Sequence, residues 1–226
     1  MLRVSRNQSS GAQNAELKLT PKSITVFRLA SPRRVKSCGY VRYALLTDIR
    51  RAWAMPNLET FSVTPIGELV QRYLRRATVS IDPFARNKRW ATYTNDLNPT
   101  TEAEYHMEVV DYLNLLTERG VKADLFLFDP PYSPRQIKEC YSSIGKTMTT
   151  ADGQSARLKK LWRQAALPLL TDDAIVISCG WNSVGFGVML GFELIEVLLV
   201  CHGGDHNDTI VTVERKTAAS QSDLFQ

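Results

Sequence analysis

The 226-residue sequence predicts a three-layer α/β fold on a mostly parallel sheet. Three observations point there. Short apolar runs alternate with stretches of helical period, as in strand-helix-strand units. The apolar runs suggest burial on both faces of the sheet. Three of them end in an acid, Asp82, Asp96 and Asp129. In open α/β sheets ligands gather beyond the carboxyl ends of the strands, so three acids there mark one ligand edge.

Residues 1–54 are rich in Arg, Ser and Ala, and "MLRVSRNQSSGAQNAELKLTPKS" shows no sustained period, which reads as disorder. "YVRYALLTDIRRAW" has the makings of a short helix. This region fits a basic arm for nucleic acid, a targeting peptide, or an extension upstream of a natural start at Met55. The last is the expectation, because an ordered pattern begins directly after Met55. "TPIGELVQRYL" predicts a helix with Thr64 as N-cap and Pro65 at the first helical position. "TVSID" (78–82) and "WATYTND" (90–96) predict strands. Residues 105–120 form an amphipathic helical pattern stopped by Gly120. "ADLFLFD" (123–129) is a strongly apolar strand, with helices after it over 134–144 and 155–168. Strands over 174–181, 192–203 and 209–216 complete the domain, the last two joined as a hairpin at the Gly203-Gly204 turn. The organisation is an extension (1–54), one domain (55–216) and a polar tail (217–226).

Composition excludes several classes. Cys38, Cys140, Cys179 and Cys201 lie far apart and form no C-x-x-C pair, which argues against a disulfide framework or a zinc site. His106, His202 and His206 make no metal set; the last two flank a Gly-Gly-Asp turn and are read as part of a hydrogen-bonded corner. No apolar run is long enough to span a membrane. The formal charge of +5 is unevenly placed. Residues 1–54 carry 11 Lys and Arg against two acids, and the rest carries 17 against 21. Bulk charge therefore says nothing about a nucleic-acid partner for the body of the chain.

The stretch "LFDPPYSPRQ" (127–136) is the most informative. An Asp at the end of an apolar strand is costly unless it is paired or used. Two prolines after it forbid both helix and sheet ladder, which leaves a rigid exposed turn. With two acid-ended strands upstream, this segment resembles the catalytic motif of class I S-adenosylmethionine-dependent methyltransferases that act on exocyclic amines of DNA bases, chiefly adenine N6. The resemblance covers about residues 60–216 and is similar to small enzymes of phages and mobile elements, some of them serving restriction-modification. It implies a Rossmann-like sheet with S-adenosylmethionine as cofactor, no metal, double-stranded DNA as partner, and a cytoplasmic setting in a bacterial or phage-infected cell.

The resemblance also implies residue roles. Asp129 and the carbonyl of Pro130 would accept the two amine hydrogens, with Pro131 stiffening the turn and Tyr132 offering a face to an extruded base. "DPFARN" (82–87) matches the first cofactor motif at Asp82 and Phe84, but Ala85, Arg86 and Asn87 stand where close backbone approach usually wants glycine. Asp96 is the residue for the ribose hydroxyls, and Leu97 flanks the adenine. Thr64 and Pro65, in "FSVTP", close over the methionine end. Arg135, Trp181 and Asn182 are substrate-side candidates, with Trp181 equally open to a core role. Asp129 favours adenine over N4-cytosine, where Ser is more typical; a ribosomal RNA base and a non-catalytic DNA-binding protein on the same fold are the other readings. In the tail, "QSDLF" resembles the peptide with which replication and repair proteins dock on the bacterial sliding clamp, through Gln221, Leu224 and Phe225.

Overall fold

The computed structural model describes residues 47–147 and 155–217. The tail peptide around Gln221 and Phe225, and most of the N-terminal extension, lie outside the described residues. Seven strands form one sheet: β1 (Asp48–Trp53), β2 (Ser80–Asp82), β3 (Tyr93–Thr94), β4 (Ala123–Phe128), β5 (Leu170–Gly180), β6 (Phe192–Cys201) and β7 (Thr209–Lys216). Their spatial order is β1-β6-β7-β5-β4-β2-β3. All neighbours are parallel except β7, which runs antiparallel to both β5 and β6. The Rossmann-like, mostly parallel sheet with a C-terminal hairpin is the architecture the sequence predicts.

Among the described residues four α-helices cover the sheet: α1 (Thr64–Leu74), α2 (Val109–Glu118), α3 (Pro134–Ser143) and α4 (Ser155–Ala166). The period-2 geometry of β4 divides its side chains between two cores. Leu125 and Leu127 face α1, packing with Ile66, Leu69, Val70 and the strand residues Ile177 and Val211. Phe126 and Phe128 face the other way, toward Leu113 and Leu116 of α2 and Trp162 of α4. A strand buried on both faces has no place for polar side chains, which accounts for the unbroken run "LFLF". No helix among the described residues is long and apolar enough to cross a membrane.

Two sequence expectations are corrected. Thr64 is the first residue of α1 and the N-cap is Val63, whose side chain makes no capping bond. The sheet also begins before Met55. Asp48–Trp53, which by sequence belongs to a short helix in a disordered extension, is an edge strand paired with β6 from Asp48↔Glu196 to Trp53↔Cys201. Its charged residues obscure it in the sequence. The explanation is Glu196 on β6, only 4% exposed. It accepts Arg72 Nη2 on both oxygens at 2.6 Å and the Tyr73 hydroxyl at 2.9 Å, and it pairs with Arg50 of β1. One buried carboxylate therefore ties β1 and α1 to β6.

Removing that carboxylate leaves two guanidinium groups facing each other. Breaking a buried pair costs roughly 3–5 kcal/mol, reduced here to about 2 kcal/mol because both arginines keep partial contact with water. Glu196→Ala is expected to lose that much in urea unfolding; a loss under about 0.5 kcal/mol contradicts the assignment.

The chain between β1 and α1 is also held. His202, 3% exposed, bonds the Ala54 carbonyl through Nδ1 at 2.6 Å and Thr209 Oγ1 through Nε2 at 2.9 Å. A carbonyl can only accept, so Nδ1 carries the proton. This is the hydrogen-bonded corner read from the hairpin sequence.

Candidate active site

The three acids lie at the carboxyl edge of the sheet. In register, Asp82 of β2 stands opposite Thr94 of β3, and Ile81 opposite Phe126 of β4. Asp96 and Asp129 each come shortly after those strands. Between β2 and β4 the strand order reverses, which opens a crevice at the strand ends.

Asp82 ends β2 at this edge. It is fully buried. Its carbonyl accepts Asn95 N–H at 2.9 Å, and its Oδ1 accepts Phe84 N–H at 3.0 Å, which turns the chain at the end of β2. Oδ2 is buried with no hydrogen-bond partner among the described residues. Burial pushes the Asp82 carboxyl well above the usual carboxylate range, and the charges of Asp129 and Asp96 push it further against the pull of Phe84 N–H. The Tyr112 hydroxyl is a second buried, unsatisfied atom, its pKa raised by burial and by the charge of Asp82. Two orphaned polar groups around one spot are unusual, since each typically costs about 1–3 kcal/mol.

The turn after Asp82 solves the missing-glycine problem locally. Arg86 adopts a φ of 49°, the left-handed conformation that glycine favours. Strain of this kind is usually about 1–3 kcal/mol and persists where surroundings over-determine it. Here Arg86 N–H bonds Asp96 Oδ2 at 3.2 Å and Arg86 Nη1 bonds the Leu58 carbonyl at 2.7 Å. Asn87 Nδ2 bonds Glu59 Oε1 at 3.1 Å, and Asn87 Oδ1 accepts Glu102 N–H at 3.2 Å. Ala85 is buried, its N–H on the Asn95 carbonyl. The altered residues thus keep a left-handed turn instead of losing it. Asp96 is half-buried, with Oδ1 accepting Asn98 N–H at 2.9 Å, and Leu97 is half-buried next to it.

Asp129 leaves β4 into the Pro130-Pro131-Tyr132 turn, with Pro130 buried. Ser133 caps α3 through Gln136 in a reciprocal capping box, with Pro134 in the first turn. Gln136 Oε1 also accepts Tyr132 N–H at 2.6 Å, and Lys159 Nζ of α4 donates to the Tyr132 carbonyl at 3.2 Å. The turn is therefore fixed from both sides. The Tyr132 hydroxyl donates to Asp129 Oδ1 at 2.6 Å. The Thr60 hydroxyl lies near enough to both groups to favour their ionised forms. Burial raises the Asp129 carboxyl; the Tyr132 and Thr60 hydroxyls and the Arg86 charge draw it back. Burial and the Asp129 charge push the Tyr132 phenol up, so it stays a donor. The buried Cys179 thiol, at the end of β5, is raised by burial and by the charges of Asp129 and Asp82, and is inert.

No protein-family profile matches the sequence. No curated protein matches it either. Solved structures do resemble the fold. TrmN from Thermus thermophilus matches with 14% identity and a TM-score of 0.45, over 68% of this chain and 49% of its own. NSun6 from Pyrococcus horikoshii, solved with SFG, matches with 14% identity and a TM-score of 0.47, over 73% of this chain and 53% of its own. The N-methyltransferase NodS from Bradyrhizobium japonicum WM9 has 6% identity and a TM-score of 0.43, over 68% of this chain and 97% of its own. The chain spans about half the length of the first two. At these identities the likeness concerns the fold alone, and the chemistry rests on the residues of the site.

The remaining candidates are placed unevenly. Phe84 packs edge-on against Phe128 and Trp162, with centroids 5.9 and 5.2 Å away, so it forms a wall of the crevice. Trp162 also lines a cleft of about 400 Å³ with Glu108, Val109, Tyr141 and Leu158. Trp181 is 44% exposed and meets the Tyr132 ring edge-on at 5.7 Å, which makes it a surface residue beside the turn and not a core one. Asn182 is exposed and accepts Val184 N–H at 3.1 Å. Arg135 is exposed and paired with Glu139 one helical turn on, at 2.8 Å. Thr64 is exposed, and Pro65 lines a separate groove with Arg50 and Arg72 between β1 and α1. The pair expected to close over the cofactor is thus not gathered with the acids. Thr60, in the 3-10 turn Thr60–Ser62 before α1, is the threonine whose hydroxyl lowers the Asp129 pKa. Nothing in the sequence sets Thr60 apart from Thr64. Lys159 and Arg86 look in the sequence like ordinary members of basic clusters. Among the described residues no group of His, Cys, Asp and Glu could hold a metal ion.

Proposed function

We propose that the chain is an S-adenosylmethionine-dependent methyltransferase acting on the exocyclic amine of a nucleic-acid base, adenine N6 of double-stranded DNA. The observation that carries this reading is Asp129, a half-buried carboxylate at the end of β4, clamped beside a Pro-Pro-Tyr turn at the edge where Asp82 keeps an unsatisfied oxygen. The residues fit the cofactor. Asp82 Oδ2 offers a buried acceptor for an ammonium group, Asp96 stands where ribose hydroxyls are taken up, and Phe84, Leu97 and Trp162 supply apolar walls. When bound, the cofactor supplies an electrophilic methyl group.

The chain's own work is positioning and electrostatics. A base amine is a poor nucleophile because its lone pair is delocalised into the ring. Asp129 and the Pro130 carbonyl would accept its two hydrogens and favour tetrahedral nitrogen. A carboxylate has about four acceptor positions, so the Tyr132 bond orients Asp129 without exhausting it. Tyr132 and the exposed Trp181 offer rings to an extruded base.

Tyr132 variants separate the ring from the hydroxyl. Tyr132→Phe keeps the ring and is expected to lower kcat about tenfold, whereas Tyr132→Ala loses about a hundredfold or more. The hydroxyl lowers the Asp129 pKa, so its removal shifts the acid limb of the pH–rate profile to higher pH. An unmoved limb contradicts the role given to that bond.

The reading is tested with the full chain, isotope-labelled S-adenosylmethionine and unmethylated duplex DNA or ribosomal RNA, followed by nucleoside digestion and mass spectrometry. N6-methyladenine from DNA is the expected product. N4-methylcytosine or a methylated RNA base moves the activity to a different base, and no labelled nucleoside from either substrate ends the reading.

A further inference from the structure

The connection from β5 to β6 is apolar on the outside and rigid underneath. Trp181 is 44% exposed and Val184 60%. Phe186, two residues on, is 3% exposed and packs edge-on against Phe128 at 5.4 Å. The carboxylate of Glu214, 2% exposed, accepts Phe186 N–H at 2.7 Å and Gly187 N–H at 2.8 Å. Arg163 Nη1 of α4 donates to the Gly185 carbonyl at 2.6 Å. A Cβ at Gly185 would come within 2.1 Å of Glu214 Oε2. Asn182 closes the tip by accepting Val184 N–H. A buried acid, an arginine and an anchored phenylalanine thus hold Trp181 and Val184 in water, and Val188 and Met189 further along the same connection are exposed as well.

Exposed apolar groups on a braced loop do nothing for folding, which points to a contact. Trp181 touches Tyr132, which is bonded to Asp129. Whatever covers the loop therefore lies against the site itself. The neighbouring helix α4 presents Arg157 and Lys160 to solvent, with no ion pair among the described residues, and these suit a polyanion. Meanwhile the Asp129 carboxylate is half-buried and cannot reach an amine inside a base stack.

We infer that Val184, on the same loop as Trp181, is a wedge that enters a nucleic-acid duplex and fills the gap left by the extruded target base. This rests on the proposed base methylation and specifies a double-stranded substrate. Apolar wedges between base steps are an established way to unstack a duplex. Val184 stands on the exposed loop and not in the cofactor crevice, so its part is to hold the duplex open.

The test compares the full chain with Val184→Ser on intact and heat-denatured DNA, and on a duplex pool carrying 2-aminopurine in random flanking sequence. The variant is expected to slow transfer to duplex about tenfold and to leave transfer to single strands within about twofold. Wild type is expected to raise 2-aminopurine emission on binding the duplex pool, and the variant to raise it much less. Equal emission from both proteins overturns the wedge. So does an equal loss of rate on duplex and single strands. If wild type transfers no methyl group yet keeps its emission advantage, the wedge stands and base methylation falls.

Discussion

Asp82→Asn is expected to weaken S-adenosylmethionine binding by about a hundredfold while making the free protein more stable by about 1 kcal/mol. The two effects have one origin. The Asp82 carboxylate is fully buried, its Oδ2 has no partner, and burial holds its pKa well above the ordinary range. An acid whose folded pKa exceeds its unfolded value favours the folded state when protonated. That contribution is complete below the unfolded value of about 3.9 and is lost as pH rises through the folded value. At neutral pH, above the unfolded value, Asp82 therefore opposes folding in the absence of a cation. Asparagine keeps the acceptor for Phe84 N–H and removes the charge. It also removes the counter-charge for an ammonium group. Calorimetric titration and thermal unfolding read both effects. A variant that binds as tightly as wild type contradicts the cofactor role of Asp82, and one that is less stable contradicts the account of its buried charge.

Asp129→Ala is expected to reduce methyl transfer by about 10²–10³-fold at saturating cofactor, the usual loss when one oriented electrostatic group is removed from a site. Cofactor affinity should change little, because the role proposed for Asp129 is to accept an amine hydrogen and not to hold the cofactor. The rate of the wild-type protein should fall toward acid, since only the ionised carboxylate accepts the Tyr132 bond well and still takes an amine hydrogen. Burial raises the Asp129 pKa, so the fall begins at higher pH than for an ordinary aspartate.

The sequence is informative where local pattern and topology agree. The run "LFLFD" must be a strand covered on both faces, and the two prolines after it must make a rigid turn. Asp82, Asp96 and Asp129 can be placed on one edge because parallel strands share a carboxyl end. The parts that are not legible depend on distant partners. β1 looks unlike a strand because its stability comes from Glu196 on β6, which reads locally as a charge in an apolar strand. The missing glycines mark a departure from the first cofactor motif, and the sequence does not show that Arg86 is held left-handed by Leu58 and Asp96. Thr60 and Thr64 are alike in sequence, and only the 3-10 turn between them sets which one lies near enough to Asp129 to lower its pKa. Glu214 gives no sign in "TIVTVERK" that it braces the loop beside Tyr132.

The most direct measurement is a single-turnover assay of labelled methyl transfer to unmethylated duplex DNA, run in parallel for wild type and Asp129→Ala with cofactor affinity determined for each. The account predicts labelled methyl on a base amine with wild type, loss of that product in the variant, and cofactor affinities that agree within about threefold. Equal transfer by the two proteins, or transfer to an atom other than a base amine, would contradict it.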